Sequence, residues 1–123
     1  GLDTEKTQSL ANALNDLLSN YQIFYMNVRG YHWNIKGDNF FELHAKFEEL
    51  YDDLLLKIDE IAERVLTLGH RPAHAYSTYI EKSEVPERKD VGDADDEGTV
   101  ALMSDYISQQ EKTVWMYRSY LGQ

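Results

Sequence analysis

Apolar residues in this chain return every three or four positions over three long stretches, a period that fits helices and not strands. The first stripe is Leu10, Leu14, Leu17, Leu18, Tyr21, Phe24, Tyr25 and Val28. It predicts a helix that starts near Thr4 or Thr7 and ends near Asn34, where Gly37 and Asp38 break the pattern. The second stripe runs through Leu43, Phe47, Leu50, Leu54, Ile58, Ile61, Val65 and Leu66. Asp38 or Asn39 can cap it, with Glu42 three residues after Asn39, and Gly69 stops it ahead of Pro72. A short helix fits residues 73–82. The last helix begins between Asp95 and Thr99, with Met103, Tyr106, Ile107, Gln110, Val114, Tyr117 and Leu121 as its face. Between them, residues 83–98 are polar and carry Pro86, Gly92 and Gly98, as a linker does. No strand-length alternation or internal repeat interrupts this reading. The class is all-α, a single domain over residues 1–123.

The second helix carries His44, Glu48, Asp59 and Glu63 in a mirrored order. His44 and Glu63 lie equidistant from the midpoint between Asp53 and Leu54, and so do Glu48 and Asp59. At helical geometry the four fall within a sector about 100° wide, yet His44 and Asp59 stand about 22 Å apart along the axis. One chain cannot close a site from them. Two copies of the helix crossing antiparallel would bring His44 to Glu63 and Glu48 to Asp59, twice. Imidazole plus carboxylate is the donor set of iron and other intermediate divalent metals. A charged, solvated face is the competing reading, because Glu42, Glu49, Asp52, Asp53 and Glu60 crowd the same helix. The Glu-x-x-His pattern of bundles that bind two irons within one subunit is absent: none of His32, His44, His70 and His74 has Glu three residues earlier. His32 becomes a further ligand if the two helices pack antiparallel across the turn at 36–39.

Charge narrows the function. Twelve basic residues face 22 acidic ones, for a formal charge of −10 and a pI near 4.7. Sequence-independent nucleic-acid binding needs the opposite balance, whereas an acidic surface concentrates cations. With no cysteine there is no thiol nucleophile, disulfide framework or zinc ribbon. No apolar run approaches the length of a membrane span, and Gly1-Leu2-Asp3-Thr4-Glu5 lacks the features of a signal peptide, so the expectation is a cytoplasmic protein.

Longer motifs carry a family resemblance. Tyr31-His32-Trp33-Asn34-Ile35-Lys36-Gly37, then Phe40-Phe41-Glu42-Leu43-His44, Tyr51 and Asp59-Glu60-Ile61-Ala62-Glu63-Arg64 closely resemble the signature of the Dps family, the miniferritins or starvation-inducible DNA-protection proteins. Glu111-Lys112-Thr113-Val114-Trp115-Met116 looks like that family's last helix. The resemblance implies a ferritin-like bundle with a short crossover helix. It implies a hollow dodecamer built from two-fold dimers that oxidises Fe(II), preferably with hydrogen peroxide, and stores ferric mineral. It implies a di-iron ferroxidase centre between subunits, with His32, His44 and Glu48 from one chain and Asp59 and Glu63 from its partner; other divalent metals suit the same donors. Glu48 stands where the family often has Asp. Trp33 matches a tryptophan beside the centre, a candidate radical quencher. Asp95, Asp96, Glu97 and Asp105 are candidates for a pore admitting iron, against the plainer reading of helix N-terminal acids.

Two departures qualify the resemblance. Family members that bind DNA directly usually use a Lys/Arg-rich tail, and here Lys6 stands against Asp3 and Glu5, so direct DNA binding is not expected. The family also has another long helix between the crossover helix and the last one. Here Glu87-Arg88-Lys89-Asp90-Val91 runs almost directly into Gly92-Asp93-Ala94-Asp95-Asp96-Glu97. Either a segment is omitted near 91–93, the favoured reading, or it is truly deleted and a partner or a rearrangement must cover the apolar faces left behind. A non-enzymatic structural or DNA-compacting assembly of the same fold is the alternative to a ferroxidase.

Overall fold

The computed structural model describes residues 4–37, 40–89 and 96–121. They form four helices, α1 (Thr4–Asn34), α2 (Phe40–Thr67), α3 (Tyr76–Lys82) and α4 (Asp96–Leu121). Among the described residues there is no strand, and no helix is long and apolar enough to cross a membrane. The expected all-α bundle with a short crossover helix is observed, with three long helices. The caps proposed at Asp38 and Asn39 lie outside the described residues. At the other end of α2, Gly69 takes φ 81°. His70 N–H reaches Val65 O at 3.1 Å and Gly69 N–H reaches Leu66 O at 2.9 Å, the paired bonds of a Schellman stop. The crossover helix starts at Tyr76, three residues later than its apolar pattern suggests, because residues 71–75 are held extended by side chains of α1 and α3.

Helix α1 is the spine. Leu10, Leu14, Leu17, Leu18, Tyr21, Phe24 and Val28 are buried, as the first stripe predicts. From α2, Phe47, Leu54, Ile58 and Val65 close on them, and Leu102 and Met116 join from α4. Three asparagines on α1 hold the crossover by its backbone. Asn15 accepts from Ala73 N–H and donates to Arg71 O. Asn20 accepts from Glu84 N–H. Asn27 accepts from Arg88 N–H at 3.0 Å and donates to Pro86 O at 2.9 Å. Arg88 then forks onto Asp105 of α4 through Nε and Nη2, both at 3.1 Å. Each bond satisfies a loop group that has no ladder to join.

Helix α4 runs antiparallel to α1. Phe24 meets Tyr106, and Tyr21, lower on α1, meets Gln110 and Thr113. Thr113 spends its hydroxyl proton on Gln109 O, so Tyr21 must donate to Thr113 while it accepts from Gln110 Nε2. The face of α4 differs from the sequence reading. Leu102, Gln109 and Met116 are buried with Tyr106 half-buried, whereas Met103, Ile107 and Val114 are exposed. Of the face expected from sequence, Tyr106 and Gln110 do reach α1, and the contacts of Tyr21 and Phe24 select the stripe that includes Leu102. Helices α2 and α4 flank α1 on two sides, their backbones apart, with Lys57 Nζ reaching Tyr106 OH at 3.5 Å. Between them lies an open groove of about 740 Å³, floored by Leu10, Leu14 and Leu17.

Two stability effects follow. Asn27→Ala should cost about 1 kcal/mol, because two part-buried backbone groups lose their hydrogen-bond partner; a melting temperature unchanged by that substitution would contradict the clamp. Burial pushes the Tyr21 phenol above its ordinary value of 10.0, while the Thr113 bond opposes this. A raised folded-state value favours the protonated phenol, so its stabilisation is intact below about pH 10 and fades as pH rises through the folded value. Thermal melts of wild type and Tyr21→Phe should therefore converge at alkaline pH.

Candidate metal centre

The turn at the end of α1 creates the site's fixed half. Ile35 N–H continues the helix onto Tyr31 O, and Gly37, at φ 109°, reverses the chain so that Phe40 N–H bonds Gly37 O. Only a residue without Cβ enters that conformation cheaply. The reversal sets α2 antiparallel to α1 and places His44 against His32. Their rings stack at 3.6 Å between centroids with planes 20° apart. His32 Nδ1 lies 2.6 Å from His44 O, and His44 Nδ1 lies 2.7 Å from His32 O. A carbonyl oxygen can only accept, so both Nδ1 atoms carry a proton, and in the neutral rings both Nε2 atoms keep a lone pair. This is the tautomer a metal-ligating imidazole needs, held by a backbone carbonyl behind it. The helix pairing that sequence spacing required of His32 is thus observed.

Aromatic groups enclose the pair. Phe40 stacks on His44 at 5.0 Å, and Tyr51 sets an edge against His32 at 5.2 Å. Tyr51 OH donates to Glu48 Oε1 at 3.5 Å. Partial desolvation, with the Glu48 and Asp52 carboxylates, holds the Tyr51 phenol above its ordinary value, so it keeps its proton for that bond. Tyr51 counted in the sequence only as part of a motif; its spacing of three from Glu48 on one helix was the signal for this contact. Arg29, absent from the sequence reading, caps the cluster, with its guanidinium 4.5 Å over Trp33 and 5.9 Å from Tyr51. Aromatic faces attract such a cation. Trp33 is exposed on the outer side of α1, one residue beyond the buried His32.

The carboxylates Glu48, Asp59 and Glu63 are exposed on α2. No three His, Asp or Glu side chains among the described residues gather closely enough to hold a metal. The chain therefore presents two separate parts, His32–His44–Glu48 at one end of α2 and Asp59–Glu63 toward the other. The same outward sector carries Phe41, 84% exposed, Leu66, 55% exposed, and Leu55, 52% exposed. Phe41 and Leu66 stand equidistant from the Asp53–Leu54 midpoint, as the candidate ligands do. Of the candidate pore acids, Asp95 lies outside the described residues. Asp96 and Glu97 occupy the first turn of α4, where the described part of their structure ends. Asp105 is held in the fork of Arg88.

Comparison with known proteins agrees with this fold. The ferritin-like domain pattern matches residues 11–94. The chain is 38% identical, over 148 aligned residues, to a DNA protection during starvation protein of Porphyromonas gingivalis, covering 98% of this chain and 93% of that one. It is 52% identical to a Dps protein of Vibrio cholerae of known crystal structure, with 98% and 94% of the two chains covered and a TM-score of 0.75. This chain belongs to the Dps family. A Bacillus brevis Dps structure superposes with a TM-score of 0.86 at 31% identity, covering 94% of this chain and 76% of that one. The Vibrio cholerae Dps protein is described as a member of a broad superfamily of ferritin-like diiron-carboxylate proteins. An aligned stretch of 148 residues against a chain of 123 means that the Porphyromonas relative carries at least two dozen residues with no counterpart here.

The tautomers are directly measurable. Histidine 15N shifts recorded without metal at about pH 8 should show His32 and His44 as Nδ1–H imidazoles. An Nε2–H signal for either ring would remove the reciprocal bonds, and with them the free ligand atoms.

Proposed function

We propose that this Dps-family chain oxidises Fe(II) with hydrogen peroxide at centres shared by two-fold-related subunits, and that it stores the ferric product. The reciprocal His32–His44 bonds carry this reading, because they hold two imidazole Nε2 atoms open beside an α2 face that also bears the carboxylates. The exposed, mirrored Phe41 and Leu66 support the pairing. Exposed apolar patches of this kind mark interaction surfaces, and an antiparallel crossing of α2 helices covers Phe41 of one chain with Leu66 of the other. The same crossing brings His32, His44 and Glu48 of one chain to Asp59 and Glu63 of its partner. Apolar side chains then surround a charged centre, which strengthens its electrostatics by excluding water.

Fe(II) is the substrate. Glu63 is assigned as the principal carboxylate, Asp59 and one histidine would complete the tighter position, and His44 with Glu48 would serve the weaker one. Tyr51 orients Glu48 through its hydroxyl. Few protein donors per iron leave positions for peroxide. Peroxide accepts two electrons, one from each of two Fe(II), so both are needed for reduction to the level of water without release of hydroxyl radical. Trp33, next in sequence to His32, is assigned the uptake of a stray oxidising equivalent. A cage, a dodecamer in the family pattern, gives the ferric product a place to mineralise. The acidic surface opposes contact with DNA phosphates, so protection here is assigned to removal of iron and peroxide.

Replacing both His32 and His44 by Ala should abolish fast peroxide-dependent iron oxidation while leaving the assembly in place; unchanged stopped-flow kinetics would sink the site. Subunit mixing tests the sharing. His44→Ala and Glu63→Ala are each expected to be inactive. In a mixed dimer both lesions fall in one site and the other site is intact, so random reassembly should recover about a quarter of wild-type activity. No recovery on mixing, despite dimers forming, would mean that the site is not shared. Low-salt gel shifts with plasmid should show no retention.

A further inference from the structure

A second cleft, of about 370 Å³, opens between α1, α3 and the end of the crossover at residues 87–89. None of the candidate metal ligands lines it. Ile23, Met26, Arg29 and Gly30 of α1 form one side, and Tyr76 and Ile80 of α3 face them with Lys89. Nothing in the fold calls for a glycine at position 30. Its φ is not positive, and a Cβ added there meets nothing within 4 Å. A glycine inside a helix weakens it relative to alanine, and its common use is to let another molecule approach the backbone closely. Here the weakened point of α1 lies under an open cleft.

Charge says what enters. On a chain of net charge −10, the lining carries Arg29, Arg88 and Lys89 against Glu87. Arg88 is spent on Asp105. Arg29 and Lys89 form no ion pair among the described residues. Arg29 is half-buried, with its guanidinium held against Trp33 and Tyr25. Its position is thus fixed by ring contacts while its N–H donors stay unspent. A planar guanidinium in that state matches a carboxylate, which it takes through two parallel bonds. With Glu87 set against the two free cations, the cleft keeps one net positive charge, the complement of a monoanion. The remaining wall is apolar, and Met26, Tyr76 and Ile80 are exposed there. A thioether and an aromatic face both accept a ring. The volume lies at the low end for small-molecule sites, which suits a single-ring ligand.

We propose that this cleft binds a small aromatic carboxylate, with its carboxylate on Arg29 and Lys89 and its ring over Gly30 against Met26, Tyr76 and Ile80. The site goes beyond the iron chemistry and does not depend on it.

Trp33 reports occupancy, because Arg29 lies 4.5 Å over its ring and a carboxylate on Arg29 alters that contact. In a Trp115→Phe background, where Trp33 is the sole tryptophan, phenylpropionate should change the emission saturably. Acetate lacks the ring and phenylpropanol lacks the charge, so each should bind about tenfold more weakly or worse. Equal binding of either control would overturn the ligand class. Calorimetry on variants locates the site. Arg29→Gln should weaken phenylpropionate binding about tenfold. Lys89→Gln, on an exposed side chain, should weaken it in the same direction without touching the aromatic cluster. Gly30→Leu should raise the melting temperature, since leucine favours the helix and finds open space, and should abolish binding by filling the cleft. No saturable binding to wild type, or unchanged binding to a folded Gly30→Leu chain, would overturn the proposal.

Discussion

The structure depends on the burial of α1 from several sides. Its apolar stripe meets α2, its other flank meets α4, and its asparagines take the backbone of the crossover that would otherwise have to find water. Burial of this kind is non-directional and gives most of the cohesion. The direction comes from polar groups. Asn15, Asn20 and Asn27 fix where the crossover lies, Arg88 carries that position to Asp105, and the Gln110–Tyr21–Thr113 chain sets the height of α4 on the spine. A core of leucine alone would tolerate sliding; these bonds do not.

The same division explains what could be read from the residues. The first two helices were legible because their apolar spacing is regular and their ends carry Gly37 and Gly69, each at a positive φ. The mirrored acids and histidine of α2 were legible because a helix converts spacing into direction. The asparagine clamps were not, since an asparagine in a helix usually faces water, and only the partner loop reveals the bond. The face of α4 was misread for a sharper reason. Two stripes compete on that helix, and periodicity alone prefers Met103–Ile107–Val114. Contact with Tyr21 and Phe24 instead selects the stripe that contains Leu102, and no local pattern contains that choice. The pairing of His32 with His44 followed from the expected helix hairpin, while the reciprocal carbonyl bonds that hold both Nδ1 atoms were not legible.

Electrostatics and packing take separate roles on α2. The outward sector mixes carboxylates with Phe41, Leu55 and Leu66, a combination too apolar for plain solvent exposure and too charged for a core. In the proposed reading a crossing helix of the same sequence would resolve that conflict, with apolar groups excluding water at the ends and centre and the carboxylates meeting cations between them. Arg29, held by Trp33, Tyr25 and Tyr51, adds a positive charge to the aromatic cluster that borders His32.

The stacked histidines owe their arrangement to a turn within one chain. Each subunit leaves folding with its imidazole half assembled and its carboxylate half elsewhere on the same helix. In the proposed reading, formation of the centre is then a second-order event whose yield follows subunit concentration. A dilute, newly synthesised pool would hold iron weakly and turn over little peroxide, and oxidation would switch on as chains accumulate. The protein would in this way measure its own abundance before it begins to handle a reactive metal.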